Sequence, residues 1–341
     1  MSSTPLRISV FGKTDLGQTR EHNEDTFLVA DLSTGKASLM PDVREHELGP
    51  RGSLFMVADG MGGAAAGELA SSMAADTIYR HMSTAWTADP DLSPERFAFR
   101  IREAVELANA ELFRYASEHP EVRGMGTTVT VAGVFANDLY LAQIGDSRGY
   151  LIRGGRASQL TRDQSLMQRL VDAGELTEEE AEHSERRNII LQALGPDSRV
   201  RVDLSRQALR RGDLLLMCSD GLSGLVRKDE IAAVAKPDAD LADICGDLID
   251  LANARGGPDN ITVVAARFEG DGLPQPDESD VGYHTCSVSG EEADTDEIPA
   301  VPPEAPAPPA APAPEHPLPP RALVIGAAAI AAIVALYILL G

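Results

Sequence analysis

The sequence predicts an α+β fold of two antiparallel sheets flanked by helices, an α-β-β-α four-layer sandwich, followed by a disordered linker and a C-terminal transmembrane helix. Three observations lead there. Over residues 1–268, strand-like runs come first, then two long helical patterns, then more strands and a closing helix and strand. Residues 269–320 hold 13 of the 22 prolines and 12 Asp/Glu, with no Lys or Arg. Leu323 to Leu340 carries no charge.

Taken in order, Arg7–Phe11, Thr26–Ala30 and Ser53–Ala58 read as strands, β-branched or aromatic and bounded by Gly, Asp or Pro. Ala64–Ser83 is helical. A second helix opens at Ser93-Pro94-Glu95, an N-cap with Pro at the first helical position, and runs to Glu118. Thr127–Phe135 turns at Asn137-Asp138 into Leu139–Ile144, and Gly149–Ile152 turns at Gly154-Gly155. Residues 164–195 form a polar, helical insertion rich in Glu and Arg. Arg201–Leu204 and Leu214–Cys218 resume strands, Asp240–Ala254 is helical, and Ile261–Phe268 closes as a strand.

With 341 residues, 43% of them hydrophobic, the chain can bury a sizeable core. Its net charge of −23 excludes nucleic acid as a partner, because phosphate backbones require Lys/Arg surfaces. Residues 269–320 supply −12, and the first 268 residues, with 29 basic and 41 acidic side chains, another −12. Cys218, Cys245 and Cys286 form no CxxC pair, which suits reduced thiols and argues against zinc. Met1 to Ile8 lacks the apolar core of a signal peptide, so the first domain is expected in the cytoplasm.

The Pro-rich, acidic stretch 269–320 cannot bury enough apolar surface to offset chain entropy and reads as a disordered, partly polyproline linker. As a coil it reaches roughly 40 Å, and at most about 160 Å extended. Residues 321–341 read as a tail anchor, since an apolar helix from Leu323 to Leu340 covers roughly 27 Å, enough for a hydrocarbon core. Arg321 on its near side fits positive-inside placement.

The chemistry lies in scattered acidic motifs. Asp59, Asp146 and Asp220 each follow an apolar, β-prone run, and Asp59 and Asp220 are followed by Gly. Such a carboxylate sits at a strand end, where backbone and side chain can approach a small cation together. Asp259-Asn260 precedes a strand, and Glu24-Asp25 opens one. Any one of these is an ordinary turn or cap. The set points to a hard-metal site built from distant segments, and so to hydrolysis. Arg20 beside them is either a charge partner or a planar clamp for a phosphate dianion.

RxxNED at 20–25, VADGMGG at 57–63, MGTT at 125–128, IGDSR at 144–148, LTRDQS at 160–165, CSDGL at 218–222 and GGPDNIT at 256–262 occur in order. Together they resemble the metal-dependent Ser/Thr protein phosphatases of type 2C, the PPM family, in its bacterial branch. The resemblance covers residues 7 to 268. It implies that Asp59 bridges two Mn2+ or Mg2+ ions, with the Gly60 carbonyl on one of them. Asp220 and Asp259 would complete the opposite ion's shell, and Glu24 and Asp25 would hold inner or outer waters. Asp146 with Asp220 would form a possible third site, Arg20 would bind substrate phosphate, and residues 164–195 would be the flap beside the site.

A pair of divalent ions lowers the pKa of a shared water enough for in-line attack on phosphorus, without a phospho-enzyme. Animal members carry His, a candidate general acid, where this chain has Met61. His22 and a metal-bound water are the replacements, and the water is favoured. The expectation is a phosphoserine/phosphothreonine phosphatase at the cytoplasmic membrane, acting on phosphorylated proteins, Ser/Thr kinases and their substrates. The alternatives are a non-catalytic phosphatase-like adaptor presenting the Pro-rich tail, and a hydrolase of small phosphate esters.

Overall fold

A computed structural model describes residues 6–38, 44–184, 186–277 and 281–288. In chain order the strands and helices are β1 (Arg7–Asp15), β2 (Asp25–Asp31), β3 (Lys36–Ser38), β4 (Arg44–Glu47), β5 (Ser53–Met61), α1 (Ala64–His81), α2 (Pro94–Glu118), β6 (Gly126–Thr127), β7 (Val129–Phe135), β8 (Asp138–Ile144), β9 (Arg148–Arg153) and β10 (Arg156–Gln159). There follow α3 (Leu166–Asp172), α4 (Glu178–Glu182), β11 (Asp203–Ala208), β12 (Leu214–Cys218), α5 (Asp220–Ser223), α6 (Lys228–Val234), α7 (Leu241–Ala254) and β13 (Ile261–Glu269). One sheet runs β10-β9-β12-β13-β1-β4, the other β11-β8-β7-β5-β2-β3 with β6 beside β5. The pairings are antiparallel.

Alternate residues of a strand point to opposite faces, and here each face has its own core. In β5, Leu54, Met56 and Ala58 pack with Ala70, Ala74 and Ile78 of α1 and Phe97, Ile101, Val105 and Leu112 of α2. Phe55 and Val57 point the other way, into the apolar layer between the sheets. In β13, Val264, Ala266 and Phe268 join that middle layer, while Val263 and Ala265 meet Ile244, Leu248 and Ala252 of α7. Burial on both faces is why these strands read as continuous apolar runs instead of alternating ones. The four-layer sandwich is as expected. Ser93 caps α2 by accepting from the Arg96 amide at 3.2 Å, ahead of Pro94.

Local differences have local causes. The first long helix stops at His81 and passes into a π turn, Met82–Trp86, that drives Trp86 fully into the core. The strands β3, β4 and β10 lie at sheet edges, are polar and part-exposed, and so carry no apolar period to detect. The strand expected at Arg201–Leu204 is β11, displaced to Asp203–Ala208, where the polar Ser205 and Gln207 are buried. Among its described residues the insertion 164–195 has two short helices, the second held by a Thr177–Glu180 capping box.

The first part of the expected linker is ordered against the sandwich. Residues 284–286 lie along the free edge of β11: the Arg206 amide donates to the His284 carbonyl at 2.9 Å, and the Cys286 amide to that of Leu204 at 2.8 Å. The Tyr283 hydroxyl donates to the Asp203 carboxylate, and Leu273 and Val288 are each 3% exposed. A few apolar residues suffice because each lands in a core that already exists. The chain divides after Glu291, and the rest of the expected linker and the span Leu323–Leu340 lie outside the described residues. Among the described residues no helix is long and apolar enough to cross a membrane.

Burial of Leu273 and Val288 is worth about 1.5–3 kcal/mol each. A chain ending at residue 269 is therefore expected to unfold in urea with about 3 kcal/mol less stability than one ending at 290. Equal midpoints would show that the strap along β11 contributes nothing.

Candidate metal centre

The acidic motifs meet at one end of the sandwich. In the register of the central strands, Asp25 at the start of β2 faces Asp59 near the end of β5. Asp146 follows β8, Asp220 follows β12, and Asp259 precedes β13. Cys218 pairs with both Val263 and Arg148, so β12, β13 and β9 bring these three loops to the same edge. Asp220 is not in a simple strand-end turn: it opens the single helical turn α5.

Burial and mutual repulsion show how tightly the carboxylates are drawn together. Burial raises Asp59 well above the ordinary carboxylate range, and the charges of Asp25, Asp220, Asp146 and Asp259 push it further. Asp220 is raised by burial and then by Asp259, although a hydrogen bond shared with Asp59 offsets part of this. Asp25 and Asp146 are raised chiefly by burial, with Asp220 adding to both. Asp163, in the LTRDQS motif, also repels Asp146, but its two oxygens are taken by Arg148 at 2.6 and 3.0 Å.

Each of Asp25, Asp146 and Asp220 keeps one buried carboxylate oxygen, Oδ1, without a hydrogen-bond partner. An unpaired buried acceptor costs about 1–3 kcal/mol, so three in one place call for a ligand. Oxygen-only donors without sulfur fit hard cations of the Mn2+ or Mg2+ kind. Among the described residues no three His, Cys, Asp or Glu side chains close on one point as a finished cage. That too suits such ions, which take one or two carboxylates and keep several waters.

The loop bearing Arg20 is laid onto the Asp259 loop. The Gln18 amide donates to the Gly257 carbonyl at 2.7 Å. Gly17 adopts φ +77°, where a Cβ would fall 2.1 Å from the Asp259 carbonyl oxygen, so only glycine fits. Asn260 ties the same loop down: its Nδ2 donates to the Leu16 and His22 carbonyls at 3.0 Å, and its Oδ1 accepts from the Glu24 amide at 2.8 Å. Arg20 Nη2 donates to Asp259 Oδ2 at 2.8 Å with the side chain 47% exposed. Of the two roles open to it, the charge partner is the one formed in this state.

Glu24 is half-buried and raised by burial, with Arg20 opposing the shift. Its carboxylate lies against Gly67 of α1, where a Cβ would stand 1.9 Å from Oε2, and Gly60 donates its amide to the Glu24 carbonyl at 3.1 Å. The insertion 164–195 is hinged beside Asp146: the Gln164 amide donates to the Gly145 carbonyl at 2.8 Å, and the Gly145 amide to Gln164 Oε1 at 2.9 Å.

All eight expected site residues, Arg20, Glu24, Asp25, Asp59, Gly60, Asp146, Asp220 and Asp259, thus come to this edge. Residue-by-residue reading passed over their supports: Asn260, Ser219, Thr262, Gly67, Gln164 and Thr128, whose Oγ1 accepts from the Asp59 amide at 3.2 Å. Part of the signal was available: Asn260, Ser219, Thr262 and Gln164 sit in quoted motifs that contain a carboxylate, Thr128 sits in one that does not, and Gly67 lies outside them.

The protein phosphatase 2C family model matches residues 42–256. The chain belongs to the protein phosphatase 2C family. It is 36% identical over 253 residues to a serine/threonine phosphatase, stp, of Listeria monocytogenes, an alignment covering 74% of this chain and 92% of that relative. The crystal structure of the serine/threonine phosphatase PstP/Ppp of Mycobacterium tuberculosis superposes with a TM-score of 0.64 at 34% identity, over 77% of this chain and 99% of that one. The catalytic domain of PstP in complex with two manganese ions gives 0.63 at 33% identity, over the same shares of the two chains. Both similarities cover about the part of this protein phosphatase 2C that the sandwich occupies.

Proposed function

We propose that this chain hydrolyses phosphoserine and phosphothreonine in proteins with Mn2+ or Mg2+ at the carboxylate edge. The observation that carries this reading is the convergence of buried, partly unpartnered carboxylates from five distant segments beside one arginine. Asp59, repelled by four other carboxylates, would hold the ions together with Asp220 and Asp259. Glu24, Asp25 and the Gly60 carbonyl would add oxygens directly or through water, and Asp146 with Asp220 would offer a further position. When bound, the ions supply a nucleophilic water at neutral pH and Lewis acidity toward the phosphoryl group.

The chain's own side chains then bind, orient and exclude. Burial and mutual repulsion raise these carboxylates, so binding of cations would be coupled to loss of any protons they carry. Arg20 keeps one N–H on Asp259, and its exposed position leaves the rest of its planar fork for the phosphoryl oxygens. No side chain here stands ready as a nucleophile: the Ser219 hydroxyl is spent on Asp25, and the Cys218 thiol is fully buried and pushed up to about 12. Met61 has no acidic proton, while the His22 carbonyl accepts from Asn260 and its side chain is near enough to Glu24 to oppose that carboxyl's upward shift. Water is the favoured proton source for the leaving seryl or threonyl oxygen.

Specificity constants for a phosphothreonine peptide and a simple phosphate ester with Mn2+ test this reading. Preference for the peptide is expected. Preference for the ester would make the chain a small-molecule hydrolase, and no turnover of either would favour the adaptor.

The same reading places the enzyme at the cytoplasmic membrane, with Leu323–Leu340 as anchor and Ser/Thr kinases and their substrates as partners. The 18 uncharged residues and the acidic leash support it, because tethering raises the effective concentration near membrane-bound phosphoproteins. Deleting 321–341 is expected to release the protein from membranes while phosphopeptide hydrolysis persists. Retention of the truncated protein on membranes would refute the anchor.

A further inference from the structure

Asp25 is the most completely held of the acidic side chains. Its Oδ2 accepts from Ser219 Oγ at 2.7 Å and from Thr262 Oγ1 at 2.7 Å. Thr262 Oγ1 lies 2.7 Å from Thr14 Oγ1, which lies 2.8 Å from Asn23 Nδ2. The Thr262 amide donates to Ser219 Oγ at 3.0 Å, and Asn23 Oδ1 accepts from the Asp25 amide at 3.1 Å.

Counting protons gives this network one direction. An ionised carboxylate only accepts, so the single hydroxyl proton of Thr262 goes to Asp25 Oδ2. Thr14 Oγ1, beside Thr262, accepts from Asn23 Nδ2. Ser219, having accepted from a backbone amide, likewise gives its proton to Asp25. Both hydroxyl protons end on Oδ2, and Oδ1 is left buried and without a partner. Ser219 directly precedes Asp220, and Thr262 stands three residues after Asp259 at the start of β13. The two hydroxyls therefore fix one oxygen of Asp25 and the spacing between the Asp25, Asp220 and Asp259 segments.

We propose that Ser219 and Thr262 are positioning residues that set metal affinity, by locking Asp25 Oδ2 and presenting Oδ1 to an ion or to its water. This rests on the metal-dependent reading above. Hydrogen bonds that orient metal-holding groups are typically worth about 10- to 100-fold in affinity.

Titration calorimetry of the full chain with Mn2+ tests it, alongside thermal melting of the metal-free proteins. Ser219→Ala and Thr262→Val are each expected to weaken Mn2+ binding by about tenfold or more. The Mn2+ concentration for half-maximal activity should rise by the same factor, and Thr262→Ser, which restores the hydroxyl, should bring the affinity back. Wild-type affinity in Ser219→Ala and Thr262→Val would overturn the proposal, as would a lowered melting temperature with unchanged affinity, since the hydroxyls would then serve only the fold. A Thr262→Ser variant as weak as Thr262→Val would overturn it, because a hydroxyl at this position would then not be what holds Oδ2. If the wild type itself bound no Mn2+, the metal-dependent reading would fail first and take this proposal with it.

Discussion

Replacing Asp59 with alanine is expected to lower kcat for a phosphothreonine peptide by at least about a thousandfold, the scale of losing the group that organises charge at the reacting centre. Asp59 is the one carboxylate repelled by Asp25, Asp220, Asp146 and Asp259 together, which is the electrostatic signature of the central position. Its backbone is fixed independently of its side chain: its carbonyl accepts from the Thr128 amide and the Thr127 hydroxyl, both at 2.9 Å, and β5 is paired on both sides. Alanine therefore leaves the strand in place. It also removes one charge from a crowded group, so metal-free Asp59→Ala should melt above the metal-free wild type at pH 8. Loss of activity with raised metal-free stability would separate a metal ligand from a structural carboxylate. Retention of more than a tenth of wild-type turnover would remove Asp59 from the centre.

The metal-free protein is expected to lose stability as pH rises from about 4 to about 8, and Mn2+ to abolish that loss. Burial lifts Asp25 to about 7 and Asp146 to about 8, against an unfolded carboxylate value of about 4. Between those values the folded chain binds more protons than the unfolded chain, so stability falls with rising pH. The contribution is complete below about 4 and gone once pH has passed the folded values. Asp89, held to about 2 by Arg96, and Glu230, held to about 2 by Arg255, act in the opposite sense, but only at pH below about 4. Within the window from 5 to 8 the acidic edge is opposed by His46, which burial lowers and which therefore adds stability as pH rises. The difference between the chelated and Mn2+ profiles is what isolates the edge. Bound cations supply the missing opposite charge and stabilise the folded state by mass action. Melting temperatures across that window, with a chelator and with Mn2+, would show it. A flat chelated profile would mean that the carboxyls stay hydrated and apart.

How much of this was legible from the chain alone differs by kind of residue. The strands of the middle layer were legible because burial on both faces leaves unbroken apolar runs, as in Leu214–Cys218. Edge strands such as β10 were not, because a polar edge has no period to betray it. The carboxylates were legible as a set because each closes or opens a strand in a short motif. Ser219 and Thr262 sat in those motifs unassigned, because a hydroxyl beside a carboxylate reads equally well as a cap or a turn. The strap at 281–288 departs from what its composition favours: Pro-rich, acidic surroundings disfavour order, but one valine can enter a core that other segments have already built.

Charge, strand-forming runs and the motifs of a protein phosphatase 2C can all be read along the sequence. It left Arg20 open between two roles and Asp25 open between ligand and turn. Only the folded arrangement lays the Arg20 loop on Asp259 and brings two hydroxyl donors to one oxygen of Asp25. The physical reason is that hydrogen-bond direction and desolvation depend on what lies across space. Asp25 and its two hydroxyl donors are separated by 194 and 237 positions in the chain but by 2.7 Å in the fold.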